Sequence, residues 1–157
     1  MEIKTINAEI SVATQIKPDD VQKLADQGFR ALICNRPDGE AADQPNFSEI
    51  EVAAEKVGLE IRNLPIVSGK VTDQDVADFG TAMQELPQPI LAYCRTGTRS
   101  ATLWSLSQAG RMSVADILAA TKAAGYDMEG VVRRIADGGK TPTDRADAKG
   151  PRMDGET

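Results

Sequence analysis

Residues 89–104 read PILAYCRTGTRSATLW. The first half, PILAYC, is a short apolar run that ends in a cysteine, as a buried strand would. A loop with one glycine and two arginines follows, and SATLWSLSQAG then continues as a helix. Ligands of open α/β sheets bind beyond the C-terminal ends of strands, which is where this reading places Cys94. The backbone amides from Arg95 through Ser100, including those of Thr96, Gly97 and Thr98, can curl into a nest ahead of the helix. Such a nest and a helix N-terminus together attract an anion. Gly97 permits a backbone conformation that other residues resist. Arg99 adds a planar, permanently charged fork. The same field stabilises an anionic sulfur at Cys94. Ser100 is expected to donate a hydrogen bond to that sulfur or to a departing group.

The chain contains no histidine. A Ser-His-Asp or Cys-His triad within it is therefore impossible, and so is any metal site that needs imidazole. If Cys94 is a nucleophile, the loop amides and Arg99 must activate it.

Outward from this motif, the pattern alternates. IKTINAEISVAT reads as strand or hairpin. PDDVQKLADQG reads as a helix, with Pro18 in its first turn and Asp19 and Asp20 on its dipole. FRALICN is a buried strand. NFSEIEVAAEKVG puts Ile50, Ala53, Ala54 and Val57 on one helical face, with Gly58 as the stop. LEIRNLPI is the next strand. TDQDVADFGTAMQELP aligns Val76, Phe79, Met83 and Leu86 behind Thr72 as N-cap. SVADILAATKAAG and DMEGVVRRIAD read as two further helices. Trp104, with Leu103 and Leu106, reads as helix packing. This order predicts an α/β domain with a mostly parallel central sheet flanked by helices. One domain over 1–139 suits the length of 157 residues. Residues 140–157 are polar and rich in Pro, Gly and charge, and are expected to form a flexible tail.

With 18 basic and 24 acidic residues, the net charge is −6. No basic excess exists to neutralise phosphates, so no nucleic-acid partner is expected. The N-terminus carries no long apolar segment, so no membrane contact is expected and a cytoplasmic location is. Cys34 and Cys94 make no disulfide framework and are expected as free thiols. Cys34 reads as a buried strand residue, with a resolving thiol for an oxidised Cys94 as the sharper alternative.

Four segments together, NRPDGE (35–40), QPNFSEIEVAAEKVG (44–58), LPIVSGKVTDQDV (64–76) and LAYCRTGTRSATLW (91–104), resemble the small domain of the beta-lactamase hydrolase-like protein family. The resemblance covers roughly residues 1–110. It implies a fold similar to the cysteine-dependent, dual-specificity phosphatases. The family has been labelled both phosphatase and sulfurtransferase. Its metal-binding domain, a persulfide dioxygenase, has no counterpart in these residues, so no metal and no cofactor are expected. A separate persulfide dioxygenase is a partner the resemblance suggests.

Cysteine-dependent phosphatases carry Cys, five residues, then Arg, whereas rhodanese-type sulfurtransferases often use a loop one residue shorter. Here the offset is 99 − 94 = 5, so four residues intervene and CRTGTRS looks like the rhodanese loop. A dual-specificity phosphatase also draws a general-acid Asp from about thirty residues before the Cys, where this chain reads IRNLPIV. Asp73, Asp75 and Asp78 lie nearer and read as helix N-terminal charge. The expectation is therefore a sulfurtransferase. Cys94 takes sulfane sulfur from a small anionic donor, such as thiosulfate or a persulfide, and passes it to a thiol acceptor or cyanide. Arg36 is expected to pair with the donor anion, and Asp38 to orient Arg36 or Arg99. Two alternatives stand beside it: a phosphomonoester hydrolase with a phosphocysteine at Cys94, and a persulfide carrier or sensor without turnover.

Overall fold

The computed structural model describes residues 1–140. Strands and helices alternate as β1 (Ile3–Thr5), β2 (Ile10–Ala13), α1 (Pro18–Asp26), β3 (Ala31–Cys34), α2 (Phe47–Val57), β4 (Glu60–Asn63), α3 (Asp73–Glu85), β5 (Ile90–Tyr93), α4 (Thr98–Ser107), α5 (Val114–Ala123) and α6 (Val132–Ala136). Five strands form one sheet in the order β1-β2-β5-β3-β4. β5 runs parallel to β2 and β3, and β3 parallel to β4, while β1 closes one edge as an antiparallel hairpin with β2. The sheet is thus mostly parallel but mixed.

The three central strands β2, β5 and β3 are buried along their whole length. Their side chains nevertheless sort by the two-residue period of a strand. Ile10, Val12, Ile33, Ile90 and Ala92 pack with Phe79, Met83, Leu103, Trp104 and Ile117 from α3, α4 and α5. Ala13, Leu32, Leu91 and Tyr93 pack with Val21, Leu24, Ile50 and Ala54 from α1 and α2. Both faces are covered, which explains why these strands read as continuous apolar runs. Trp104 is fully buried, as packing requires, although its indole N–H finds no partner among the described residues.

Local signals work as the sequence states them. Asn46 and Thr72 each open a helix with a capping box, and Gly58 ends α2 in the left-handed conformation. Two elements differ. α4 begins at Thr98, a little before the expected start. DMEGVVRRIAD is a 3-10 turn over Glu129–Val131 followed by the five-residue α6. Gly130 and the β-branched pair Val131 and Val132 are poor material for one continuous helix. Apart from Lys140, the expected tail lies outside the described residues. No helix among the described residues is long and apolar enough to cross a membrane.

β5 enters last and inserts between β2 and β3. The loops that leave β2, β3, β4 and β5 therefore converge beyond one edge of the sheet, the crevice expected of such a topology.

Candidate functional site

Cys94 is the first residue past β5, and its N–H still donates to Ala13 O of β2 at 3.3 Å. The sheet thereby fixes the cysteine backbone. Its sulfur is buried, 1% of the residue being exposed, and accepts a hydrogen bond from the Gly97 N–H at 3.1 Å. Gly97 has φ +92° and caps α4. A Cβ there would collide with the Tyr126 hydroxyl, so glycine is required both by the turn and by the close approach. The Tyr126 hydroxyl donates to Thr96 O at 3.1 Å and holds the loop from outside. Arg95, Thr96 and Thr98 are exposed on the loop rim. The Thr98 N–H donates to Thr96 Oγ1 at 3.4 Å.

Arg99 lies in the first turn of α4. Its Nη1 donates to Glu40 Oε2 and to Ile66 O, and its Nη2 to Glu40 Oε1, each at 2.8 Å. Three of the five guanidinium N–H groups are thereby committed. Among the described residues, the Nε–H and one Nη2–H, which share an edge, are not taken up by oxygen acceptors, and the guanidinium lies against the Cys94 sulfur. Glu40 and, to a smaller degree, the neighbouring Cys94 sulfur hold Arg99 charged against its partial burial. In return, Arg99 and then Arg36 hold the Glu40 carboxyl down at about 2.

Arg36 is buried, with 6% of its side chain exposed. Its Nε donates to Glu40 Oε1 at 2.9 Å and its Nη1 to Gln15 Oε1 at 3.1 Å. Its buried guanidinium is thus held by Glu40 and Gln15 rather than opened to a donor anion. Asp38 does not orient either arginine: its Oδ1 accepts from the Phe47 N–H at 2.8 Å, at the start of α2. The orienting carboxylate is Glu40, which sequence reasoning missed. The i,i+4 spacing of Arg36 and Glu40 was its only signal, and a loop gives that spacing no fixed meaning.

Ser100 does not serve the sulfur either. Fully buried, it donates to Asn35 Oδ1 at 2.8 Å. Asn35 in turn donates its Nδ2 to Leu64 O at 2.9 Å and its backbone N–H to Tyr93 O at 2.8 Å, and its carbonyl accepts from the Ile66 N–H. One buried asparagine thus ties β3, β5, α4 and the loop after β4 together beneath the site. Cys34 sits in the opposite core layer, with Leu24, Ile50 and Tyr93. Burial pushes its thiol up, and the S–H donates to Arg36 O at 3.4 Å. Asp75 is used in the Thr72 cap, Asp73 pairs with Arg134 at 3.3 Å, and Asp78 accepts from Gln74. Asp73 and Asp75 lie in the first turn of α3, as the helix-charge reading expects, whereas Asp78 lies beyond it.

Among solved structures, a Neisseria meningitidis Z2491 protein described only as a candidate phosphatase is 31% identical, with TM-score 0.78 over 88% of this chain and 99% of that one. PTPMT1 shares the fold at 17% identity, with TM-score 0.69 over 88% of this chain and 94% of that one. A beta-lactamase hydrolase-like protein of Agrobacterium fabrum is 34% identical over 130 residues. That match takes in 82% of this chain but spans about 30% of the length of the curated relative.

These likenesses overturn the expectation of sulfur transfer: the family domain and the structural neighbours are phosphatase-like. The short Cys-to-Arg spacing misled because it counts residues along a loop. The guanidinium is placed instead by Glu40 and Ile66, two partners outside that loop. The matching family model covers residues 2–111, and the chain belongs to that family, described as beta-lactamase hydrolase-like protein, phosphatase-like domain.

Proposed function

We propose that the protein is a cysteine-dependent phosphomonoester phosphatase with Cys94 as nucleophile. The observation that carries this reading is the Cys94 sulfur, hydrogen-bonded by the Gly97 amide at the N-terminus of α4 beside the Arg99 guanidinium. Amides at a helix N-terminus and a planar cation suit a phosphoryl group and the charge that gathers on its oxygens during transfer.

The reaction takes two steps. The Cys94 thiolate attacks phosphorus, an S–P bond forms, and the P–O bond to the leaving group breaks with its electron pair on that oxygen. Water then attacks the phosphocysteine, the S–P bond breaks, and inorganic phosphate leaves with the thiolate restored. The Nε/Nη2 edge of Arg99 and the loop amides hold the non-bridging oxygens in both steps. Glu40 keeps that edge aimed by occupying the rest of the guanidinium, and Asn35 and Ser100 keep the loop's base in place. Arg95, Thr96 and Thr98, on the exposed rim, meet the remainder of the substrate.

The test is p-nitrophenyl phosphate turnover by the full chain, with intact-mass analysis after acid quench. We expect turnover, an adduct of phosphoryl mass on Cys94, and loss of both in Cys94→Ser, because this chain has no histidine to deprotonate a serine. Turnover that survives Cys94→Ser would reject the reading.

A further inference from the structure

We propose that the site acts on phosphoryl compounds whose leaving group departs as a weak base, such as aryl phosphates, acyl phosphates and phosphoanhydrides, and turns over alkyl phosphates poorly. The inference rests on the phosphatase reading above and names its substrate class.

When the P–O bond breaks, negative charge collects on the leaving oxygen. An alkoxide is too basic to depart without a proton, and a positioned acid that supplies one contributes about 10²–10⁴ in rate. A phenolate, a carboxylate or a phosphate departs unaided. The question is whether any group around Cys94 has a proton to give.

Most of the candidate acids around Cys94 are committed to other partners. The loop after β4, Leu64 to Thr72, contains no carboxylate, and it reaches Arg99 through a backbone carbonyl, that of Ile66. The first acids beyond this loop are engaged: Asp73 with Arg134, and Asp75 in the Thr72 capping box. On the loop after β3, Asp38 holds the Phe47 N–H. Glu40 is bound by Arg99 and Arg36, which hold its carboxyl near 2, so it carries no proton at neutral pH. The loop after β2 contributes Gln15, bonded to Arg36. The Ser100 proton is directed to Asn35. The Tyr126 proton is directed to Thr96 O, and burial pushes that phenol up, which makes it a weaker acid. Lys70 and Asp43 are exposed on the loops after β4 and β3, and Glu2 pairs with Lys4 at 3.3 Å. The groups that the fold fixes against Cys94 are thus the Gly97 amide and the Arg99 guanidinium, which suit the phosphoryl group, while the fixed acids face other partners.

The leaving oxygen therefore takes its electron pair away as an anion and gains a proton from bulk water afterwards. The experiment compares kcat/KM for p-nitrophenyl, phenyl and benzyl phosphate on the full chain. Phenyl and benzyl phosphate differ by one methylene in shape, but one releases a phenolate and the other an alkoxide. The expected result is a steep descent across the series, with benzyl phosphate at least about 100-fold below p-nitrophenyl phosphate. Tyr126→Phe and Lys70→Ala should leave that ratio unchanged. A benzyl rate within about 100-fold of the p-nitrophenyl rate, with both abolished in Cys94→Ser, overturns this inference and leaves the phosphatase reading standing. So does either variant if it loses benzyl turnover selectively, because its side chain is then the acid. No turnover of any of the three, with no adduct on Cys94, overturns both.

Discussion

Replacing Glu40 with Gln preserves shape and one acceptor oxygen but removes the charge that two arginines share. Glu40 takes hydrogen bonds from Arg99 Nη1 and Nη2 at 2.8 Å and from Arg36 Nε at 2.9 Å. A hydrogen bond to a charged group is worth about 1.5–3 kcal/mol net when well shielded. Glu40 keeps 28% of its side chain exposed, so water screens these bonds and their sum is well below three such values. Against that, Arg36 and Arg99 are only 6% and 11% exposed and lose their counter-charge together. A loss of about 1–2 kcal/mol follows, or roughly 3–6 °C in Tm for a domain of this size. The pH dependence has a definite sign. Folding lowers the Glu40 carboxyl from 4.5 to about 2, so its contribution is complete above the upper value and is lost as pH falls toward the lower one. Thermal melts of both proteins from neutral pH down to acid should show a gap that is full at pH ~7 and closes across that window. With the guanidinium free to swing, kcat/KM for p-nitrophenyl phosphate should fall by about 10–100-fold. Equal Tm at neutral pH, or a gap that stays constant down to the lower value, would refute the reasoning.

Three further substitutions separate site from scaffold. Arg99→Lys keeps the charge but loses the fork, and kcat/KM should fall by about 10²–10³ with little change in the melt; a large drop in Tm with normal kinetics would make Arg99 a structural residue. Gly97→Ala forces a left-handed residue and a collision with the Tyr126 hydroxyl, and should cost about 1–3 kcal/mol by denaturant titration; adding Tyr126→Phe should recover only the steric part. Thr72→Ala removes the N-cap of α3 and should cost about 1 kcal/mol while kcat/KM stays the same, which a paired melt and steady-state assay would check.

The fold was legible where one local signal decides a boundary. Pro18, Thr72 and Gly58 each mark a helix end for a stereochemical reason, and the apolar runs ALIC and ILAY are too short and too continuous to be anything but strands buried on both faces. The strand order was not legible in the same way. β5 inserting between β2 and β3 is a property of the whole sheet, and no residue of β5 announces its neighbours. The site was half legible. Cys94, Gly97 and Arg99 stand close together in sequence at a strand-to-helix junction, so geometry and spacing coincide. Glu40, Asn35, Ile66 and Tyr126 reach the same place from three distant segments, and each looks ordinary in its own context. Asp38 and Glu40 illustrate the limit: they stand two residues apart in one loop, yet Glu40 turns to the arginines while Asp38 holds the Phe47 N–H.

The loop length itself shows how far counting can be carried. Four residues between Cys94 and Arg99 suggest a tight ring with little room for a tetrahedral group. That inference assumes that the arginine side chain follows the backbone. It does not follow it here, because Arg99 starts from the first turn of α4 and ends against Glu40 and the Ile66 carbonyl, both fixed by other loops. The loop sets where the amides point, and the β3 and β4 loops set where the guanidinium lies. Size of the anion site is therefore a joint property of three segments, and shortening one of them does not by itself choose a smaller ligand. The absence of a proton donor is different in kind. It rests on the bonds that commit Asp38, Glu40, Asp73 and Asp75 elsewhere, whatever the loop's length. On the proposed reading, the chemistry of the leaving group, more than the room for phosphate, is what sets this site apart from a phosphatase that carries a general acid.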